Sequence, residues 1–391
     1  MDVKAEASKY FPFTQSLRRD FHRHPEIAFN EFRTAGIVAN ELQQFGLEVK
    51  TKVGKTGVVG LLEGTQKTPV ILLRFDMDAL PMTEENKTDY ASENPGLMHA
   101  CGHDSHTAVG LTIARILSEN RKMLNGTVKF VFQPAEEGGS GADAMIEDGV
   151  LTDPAPDFAL GLHVWNDKPL GWFGITEGPM MAGANKITFR ITGKGGHGAI
   201  PHLAVDPVLA ASHIICGLQS IVSRNISPLE NAVVSITHIE GGTAFNIIPP
   251  YVDCEGTIRT FLPEVKDMVI KRFNELVSGI AESMNCTAQT SVDKGTLAVI
   301  NDVDIARKVG DIARSLFPGF NIDNSLRTMG AEDMASFLSK IPGCFIFIGS
   351  ANPEKGLGFS HHHPRFDIDE SCLPDAVALL VQSVLELTNS N

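Results

Sequence analysis

Val70-Ile71-Leu72-Leu73-Arg74-Phe75-Asp76-Met77-Asp78 is a run of apolar residues that ends in two carboxylates. A short apolar run of this kind predicts a buried strand, and charged residues at its end predict a functional sheet edge. Similar strands alternate along the first part of the chain with segments of helical periodicity. The alternation indicates an α/β layer architecture.

The predicted elements before residue 181 follow one another closely. They are strands at Val58–Leu62, Val70–Phe75, Thr127–Phe132 and Asp157–His163, and helices at Thr107–Leu117 and Ala142–Glu147. Most of these strands end in charged or His-rich residues. Because functional groups of open α/β sheets gather at the carboxyl ends of strands, we expect one site at that edge.

The pattern changes near Gly183. The segments that follow are a strand (Lys186–Ile191), a helix (Pro207–Val222), two strands (Ala232–Ile239 and Val252–Thr260), a helix (Val265–Ser283) and a strand (Thr287–Val292). This βαββαβ order predicts a ferredoxin-like domain. After Thr296 the α/β character resumes with helices at Asp302–Phe317, Ala331–Leu338 and Pro374–Thr388 and a strand at Cys344–Gly349. We therefore predict one α/β domain, 1–181 and 296–391, interrupted by an inserted α+β domain, 182–295.

Composition limits the classes of partner. The 391 residues suit two domains, and the formal net charge of −14 argues against nucleic acid or an anionic membrane as a partner. The six cysteines are scattered, which fits a reducing compartment. The N-terminus has no apolar segment of a signal peptide and no long apolar window predicts a membrane span, so we expect a cytoplasmic protein.

The segment Met98–Asp104 brings a thiol and an imidazole together. Cys101 and His103 flank Gly102 at the start of a predicted helix. The positive end of a helix dipole favours a thiolate, which is the metal-binding form of cysteine. The alternative is a buried cysteine beside a structural histidine.

Further metal donors follow the later strands. Glu136 and Glu137 come after a strand, where adjacent side chains point in opposite directions, so one carboxylate could bind metal while the other acts as a base. His163 ends another predicted strand, and one of His361, His362 and His363 could complete the set. Cysteine, glutamate and histidine suit one or two borderline-soft divalent ions. Asp76 and Asp78 would orient the ligating imidazoles.

Several segments resemble the aminoacylase/carboxypeptidase-type dinuclear metallopeptidases, and most of all the branch of N-acyl-amino-acid amidohydrolases, hippurate hydrolases and auxin-conjugate (IAA-amino acid) hydrolases. They are Arg74–Pro81, His99–Asp104, Gln133–Gly138 and Gly195–Ala199, together with His22–Glu26 near the start. The resemblance covers nearly the whole chain. It implies a metallopeptidase-type catalytic domain with an inserted ferredoxin-like lid and dimerisation domain.

The resemblance also implies residue roles. Cys101 matches a ligand that bridges two ions, and Glu136 matches the general base. The remaining ligand positions are matched by His103, Glu137, His163 and His362. His197 matches a histidine that reaches the active site of the partner subunit, and Asn246 and Arg259 resemble residues near the substrate's carboxylate or carbonyl. Gly198 departs from the pattern, since many relatives carry alanine there.

These expectations combine into one predicted activity. It is metal-dependent hydrolysis of the amide bond of N-acyl amino acids by a homodimer or dimer of dimers, with two ions of zinc, manganese, cobalt or nickel. The alternatives are a carboxypeptidase or dipeptidase on small peptides, an amidase with Cys101 as nucleophile, and a non-catalytic metal-dependent binding protein. A Gly-x-Gly-x-x-Gly match at Gly193–Gly198 lacks the following helix of a dinucleotide site.

Overall fold

The computed structural model describes residues 1–389, which form two compact units. One unit comprises Met1–Gly178, Ile300–Leu326 and the chain from Asp333 onwards, and the other comprises Pro179–Val299 and Arg327–Glu332. The second unit includes the segment predicted as an insertion. It also includes residues 327–332, which the sequence analysis placed with the catalytic domain.

Helices and strands are numbered along the chain. The helices are α1 (Val3–Arg23), α2 (Phe32–Gln44), α3 (His103–Glu119), α4 (Gly141–Glu147), α5 (Pro207–Ser220), α6 (Pro263–Ser283), α7 (Val303–Leu316), α8 (Met334–Leu338) and α9 (Leu373–Asn389). The strands are β1 (Glu48–Val53), β2 (Gly57–Glu63), β3 (Val70–Asp76), β4 (Thr127–Gln133), β5 (Phe158–Pro169), β6 (Trp172–Gly174), β7 (Gly178–Met181), β8 (Gly183–Thr192), β9 (Gly196–His197), β10 (Ala232–Glu240), β11 (Ile247–Ile248), β12 (Tyr251–Thr260), β13 (Thr287–Val292), β14 (Val299–Asn301), β15 (Asn321–Asp323) and β16 (Gly343–Ala351).

The first unit is built on a mixed sheet. Among the described residues its strand order is β1-β2-β4-β3-β5-β16-β6-β15, and the central strands β4, β3, β5 and β16 run parallel. Every residue of β3 and β4 is buried, as expected for parallel strands covered by helices on both faces. The predicted α/β class is confirmed, and the parallel strands bring their carboxyl ends to one edge.

The second unit is an antiparallel sheet packed against two helices. Its strand order is β10-β12-β8-β13, with α5 and α6 on one face. Burial alternates along β12, because one face of the sheet packs against the apolar sides of the two helices. The core between them includes Phe189 of β8, Leu218 of α5 and Phe273 of α6. The order of elements and strands is that of a ferredoxin-like domain, which confirms that prediction.

Several parts of the fold differ from the sequence-based assignment. Helices α1 and α2 were not assigned, although the buried positions of α1 recur at three- and four-residue intervals: Val3, Ala7, Tyr10, Thr14, Arg18 and Phe21. Strand β5 was predicted to end at His163 but continues to Pro169, because β16 pairs with it beyond that point. His163 therefore lies within a strand.

By length and composition alone, one segment of the described chain, Glu370–Asn389, could cross a membrane. Within the fold, 72% of its apolar window is buried. Its apolar composition is therefore accounted for by packing in the core of the first unit, where α9 contacts α1 and α3.

Candidate metal centre

A glycine turn at the start of α3 places the first two predicted ligands. Gly102 caps the helix with φ 93°, and a Cβ at this position would lie 2.3 Å from Cγ2 of Val164 on β5. Only glycine permits both the left-handed backbone and this close approach. As a result, the Cys101 Sγ lies 3.4 Å from Nε2 of His163.

The glutamate pair occupies a turn beyond β4. Both oxygens of Asp78 accept backbone hydrogen bonds here, Oδ1 from Glu136 and Oδ2 from Glu137, each at 3.0 Å. Each glutamate places a carboxylate oxygen within 4.8 Å of a ring nitrogen of His103. The expected opposite orientation of the two side chains is wrong, since the left-handed Ala135 (φ 53°) ends the strand geometry before them.

The three consecutive histidines take different positions. His362 has its Nε2 3.1 Å from Oε1 of Glu137, and its backbone N–H donates to the carbonyl of Ala100 at 2.8 Å. His361 is turned away: its Nε2 accepts the N–H of Asn166 at 3.1 Å, and burial lowers its pKa to about 3. His363 stacks on Phe359. Of the three, His362 lies with the other candidate ligands.

The donors form two groups that share the thiol. Cys101, His103 and His163 have donor atoms within 4.8 Å of one another, and so do Cys101, Glu137 and His362. Within the described chain, His103 Nε2 and Glu137 Oε1 are buried without a hydrogen-bond partner, and the approach of Glu137 to His362 lacks hydrogen-bond geometry. Buried polar atoms without partners are costly. The donor set therefore fits two divalent cations with Cys101 in common.

Electrostatics agree with this fit. Burial and the neighbouring Glu137 carboxylate raise the pKa of the Cys101 thiol well above its usual range, so ionisation of the thiol needs added positive charge. Burial and the nearby His106 lower the pKa of His163. The neutral imidazole that results is the form that binds metal.

The two aspartates differ in what they orient. Nδ1 of His103 donates to the carbonyl oxygen of Asp78 at 2.9 Å, with Oδ1 of the same residue 3.3 Å away, and this leaves Nε2 facing the donors. Asp76 instead accepts from Nδ1 of His106 at 2.6 Å and from Arg74 at 2.7 Å, and it reaches His103 Nε2 only at 3.7 Å. The hydrogen bonds of Asp76 therefore orient His106, and a role of Asp76 towards the predicted ligand His103 stays a prediction.

His106 is a residue that the sequence analysis missed. Its Nε2 accepts the backbone N–H of Val164 at 2.9 Å, which ties α3 to β5 next to His163. Its spacing of three residues from His103 on a helix places both rings on one face, 5.5 Å apart. That spacing is the signal that could have identified it.

A buried ionic cluster joins α1 to α3 and to the segment after His362. Arg18 of α1 is fully buried and donates to Asp104 at 2.9 Å, to Asp367 at 2.5 Å and to Glu370 at 3.2 Å. Asp104 follows His103, and Asp367 lies five residues after His362. The cluster therefore fixes both backbone segments that carry candidate ligands.

His22 contacts Asp104 of this cluster at 2.7 Å and predicts a pH-dependent stability. Burial lowers its pKa, but hydrogen bonds to Asp104 and Glu84 outweigh burial and raise it from 6.5 to about 9. Because the pKa of His22 is higher in the folded protein than in the unfolded chain, protonation of His22 stabilises the fold. This stabilisation is complete at pH values below the unfolded pKa of 6.5, and it is lost as the pH rises through about 9. We expect a loss of up to ~3 kcal/mol from this residue between pH 6 and pH 10.

The measurement is urea unfolding of the wild type and of His22→Gln at both pH values. The variant should be less stable at pH 6 and should lose less stability than the wild type on going to pH 10. Equal losses in the two proteins would contradict the assignment.

The remaining predicted residues lie in the second unit. His197 is an exposed residue of β9, opposite Ile247 of β11, and its Nδ1 accepts the N–H of Ala199 at 3.0 Å. The N–H of Gly198 donates to the carbonyl of Asn246 at 2.8 Å, and a Cβ on Gly198 would lie 3.1–3.4 Å from the Asn246 backbone. Glycine at this position thus permits the close approach of the Asn246 backbone, and alanine would crowd that backbone.

Arg259 has an unusual environment. Burial lowers the pKa of its guanidinium group. Among the described residues the group has neither a hydrogen-bond partner nor an ionic one. A partly buried cation of this kind is able to bind an anionic group of a ligand.

Comparison with known proteins agrees with the fold described above. The model of peptidase family M20/M25/M40 matches residues 72–386. The chain is 40% identical to N-acetylcysteine deacetylase of Bacillus subtilis, covering 92% of each chain, and 38% identical to an IAA-amino acid hydrolase of Arabidopsis thaliana, covering 96% of this chain and 86% of the other.

A solved structure extends the comparison. The crystal structure of a dinuclear metal-binding peptidase of the M20 family from Bacillus subtilis superposes with a TM-score of 0.86 at 34% identity, covering 98% of this chain and all of the other. The matches extend over both units. The chain therefore belongs to peptidase family M20/M25/M40.

Proposed function

We propose that this protein hydrolyses the amide bond of N-acyl amino acids, and that two divalent cations are held by Cys101, His103, Glu137, His163 and His362. The observation that carries the proposal is the pair of donor groups that share Cys101, with the Glu136 carboxylate beside them. Relatives named as a deacetylase and as an IAA-amino acid hydrolase support amide hydrolysis as the reaction.

Proton transfer in this reaction is assigned to Glu136, and the placement of Glu136 is assigned to Asp78. Bound divalent ions supply Lewis acidity, which polarises an acyl carbonyl and lowers the pKa of an attacking water. Glu136 accepts the proton of that water and delivers it to the leaving amine. Asp78 keeps Glu136 in place, because its Oδ1 holds the backbone N–H of the same residue at 3.0 Å.

Arg259 and Asn246 are proposed to bind the substrate. A guanidinium group without a protein partner suits the carboxylate of the amino-acid portion, which it can hold through two parallel hydrogen bonds. Asn246 offers an amide to the same carboxylate or to the reacting carbonyl. Substrates that lack a free carboxylate should therefore be poor ones.

His197 is proposed to act across a homodimer formed through the second unit. Its exposed side chain would donate a hydrogen bond to the developing oxyanion in the site of the partner subunit, where removal of one donor costs about a hundred- to thousandfold in rate. We expect His197→Ala and Glu136→Gln to be inactive alone. Mixed dimers should regain activity, because one site in each then has both residues.

The measurement is activity after subunit exchange, verified with differently tagged chains. The control is a dimer of two differently tagged Glu136→Gln chains, which should stay inactive after exchange. No recovery despite verified exchange would contradict action in trans and would favour a role of His197 within its own subunit.

The donor set limits the choice of metal, and the state of the cysteines bears on the cellular compartment. Zinc, manganese, cobalt and nickel all accept thiolate, imidazole and carboxylate ligands, so availability would decide among them. Cys101, Cys216, Cys254, Cys286, Cys344 and Cys372 are all free thiols, which is in keeping with the reducing cytoplasm.

The activity is tested with a panel of substrates. N-acetyl-, N-benzoyl- and indoleacetyl-amino acids are compared with dipeptides and with the methyl esters of the same N-acyl amino acids. The proposal predicts release of the amino acid from at least one N-acyl substrate, sensitivity to chelation, and weak turnover of the esters' amide bonds. Cleavage of dipeptides alone would favour the peptidase alternative.

A further inference from the structure

We propose that Glu31 is a positioning residue for the turn that carries Glu136 and Glu137, and that it acts as a hydrogen-bond acceptor rather than as a charge. The inference rests on the function proposed above for those two glutamates. Glu31 lies just before α2 and belongs to none of the donor groups around Cys101.

The carboxylate of Glu31 is completely buried and accepts three hydrogen bonds. Oε1 accepts the backbone N–H of Phe29 at 3.0 Å and that of Ala135 at 2.9 Å, and Oε2 accepts the hydroxyl of Thr56 at 2.5 Å. It forms no ion pair within the described chain, and burial raises its pKa. A buried carboxylate that no cation stabilises is costly, and the three hydrogen bonds that Glu31 accepts offset part of that cost.

Both backbone donors to Oε1 belong to residues in a rare conformation. Phe29 has φ 60° and Ala135 has φ 53°, and neither is glycine. L-residues disfavour the left-handed region because Cβ approaches the carbonyl oxygen, so such conformations persist only where the surroundings impose them. A single oxygen of Glu31 thus stabilises two of these conformations.

The second of these conformations leads directly into the candidate site. The N–H of Ala135 is held by Glu31, and the next two N–H groups, of Glu136 and Glu137, are held by Asp78. Three consecutive amides are therefore fixed by two buried carboxylates. Without the Glu31 contact, Ala135 would keep, among the described residues, only the bond from the N–H of Gly141 to its carbonyl, at 3.1 Å. A shift of Ala135 towards the right-handed region would then change the direction of both glutamate side chains.

The variants separate an acceptor from a charge. Glu31→Gln keeps an oxygen for Phe29 and Ala135, and its amide can donate to the Thr56 hydroxyl in place of the original bond, so we expect kcat within about threefold of wild type. Glu31→Met has a similar size but no acceptor. We expect its kcat to fall on the order of a hundredfold, the scale on which a misplacement of about 1 Å slows a reaction.

Metal affinity gives a readout that does not depend on turnover. Apo-protein titrated with Zn²⁺ against a chromophoric chelator should bind the metal about tenfold more weakly in Glu31→Met, because Glu137 is displaced. Thr56→Val is the matched control. It removes the bond to Oε2 alone, so its melting temperature should fall while kcat and metal affinity stay near wild type.

A second substitution isolates the backbone effect. Ala135→Gly tolerates the left-handed region without the Glu31 contact, so we expect Glu31→Met/Ala135→Gly to recover at least about fivefold of the kcat lost in Glu31→Met, since glycine removes the strain. This double variant and Glu31→Gln keep the test decisive if Glu31→Met folds poorly.

Three results would overturn the inference. They are a loss in Glu31→Gln as large as in Glu31→Met, an unchanged kcat in Glu31→Met, or the same loss of kcat and metal affinity in Thr56→Val. A different result would contradict the proposed function, namely wild-type turnover by Glu136→Gln. In that case the metal affinity of Glu31→Met still reports on the placement of Glu137.

Discussion

Glu136→Gln should lose nearly all turnover while both metal ions stay bound. The amide has the size of the carboxylate but accepts no proton at neutral pH, and general acid–base catalysis contributes about a hundred- to ten-thousandfold in rate. Metal binding should persist, because the proposed ligand is the neighbouring Glu137, whose Oε1 faces His362 at 3.1 Å. The measurements are kcat on the best N-acyl substrate and metal content after desalting.

Glu137→Gln is the matched control for this prediction. It carries the same change on the adjacent residue, and Asp78 binds both backbone amides in the same way. Here metal affinity should fall first, and excess metal should restore part of the activity. Wild-type turnover in metal-loaded Glu136→Gln would remove Glu136 as the base, and rescue of Glu136→Gln by excess metal would make it a ligand instead.

Cys101→Ala and Cys101→Asp should have opposite outcomes. Alanine removes the donor common to both groups, so we expect metal binding to weaken by at least about a hundredfold, with loss of activity. Aspartate restores an anionic donor, and bridging ligands in dinuclear sites are commonly carboxylates. Cys101→Asp should therefore bind two ions and retain measurable turnover.

This pair of variants also tests the rival mechanism. With Sγ and His163 Nε2 3.4 Å apart, Cys101 and His163 have the geometry of a thiol nucleophile and its base. Aspartate would abolish nucleophilic attack by sulfur. A metal-loaded Cys101→Asp without activity, together with a wild type that resists chelation, would favour the thiol mechanism over the metal mechanism.

The edge of the parallel sheet could be predicted from local patterns. Asp76, Asp78 and the Gln133–Glu137 segment follow apolar runs, and such runs become parallel strands whose carboxyl ends meet. The pairing of Cys101 with His103 could also be predicted, because the two residues flank a glycine at the start of a predicted helix. In the structure Gly102 makes the turn that begins α3. The ferredoxin-like order followed from the alternation of apolar periods in 182–295.

Other features depend on contacts that local patterns do not contain. Arg18 is 86 residues from Asp104 and 349 residues from Asp367, so its charge cluster arises only when α1 packs on α3. Glu31 likewise meets Ala135 across 104 residues. The alternation of side chains along a strand does not extend to Glu136 and Glu137 for the same reason, since these residues lie in a turn whose backbone is held by the distant carboxylates of Glu31 and Asp78.

Stepwise metal addition to chelator-stripped protein tests whether hydrolysis depends on two bound metal ions. Binding is followed by calorimetry and hydrolysis of an N-acyl amino acid is followed in parallel, with Cys101→Ala as the control. We predict no turnover without metal, binding that saturates at two ions per chain, and activity that rises as the sites fill. Full turnover by protein shown to contain no metal would contradict metal-dependent hydrolysis.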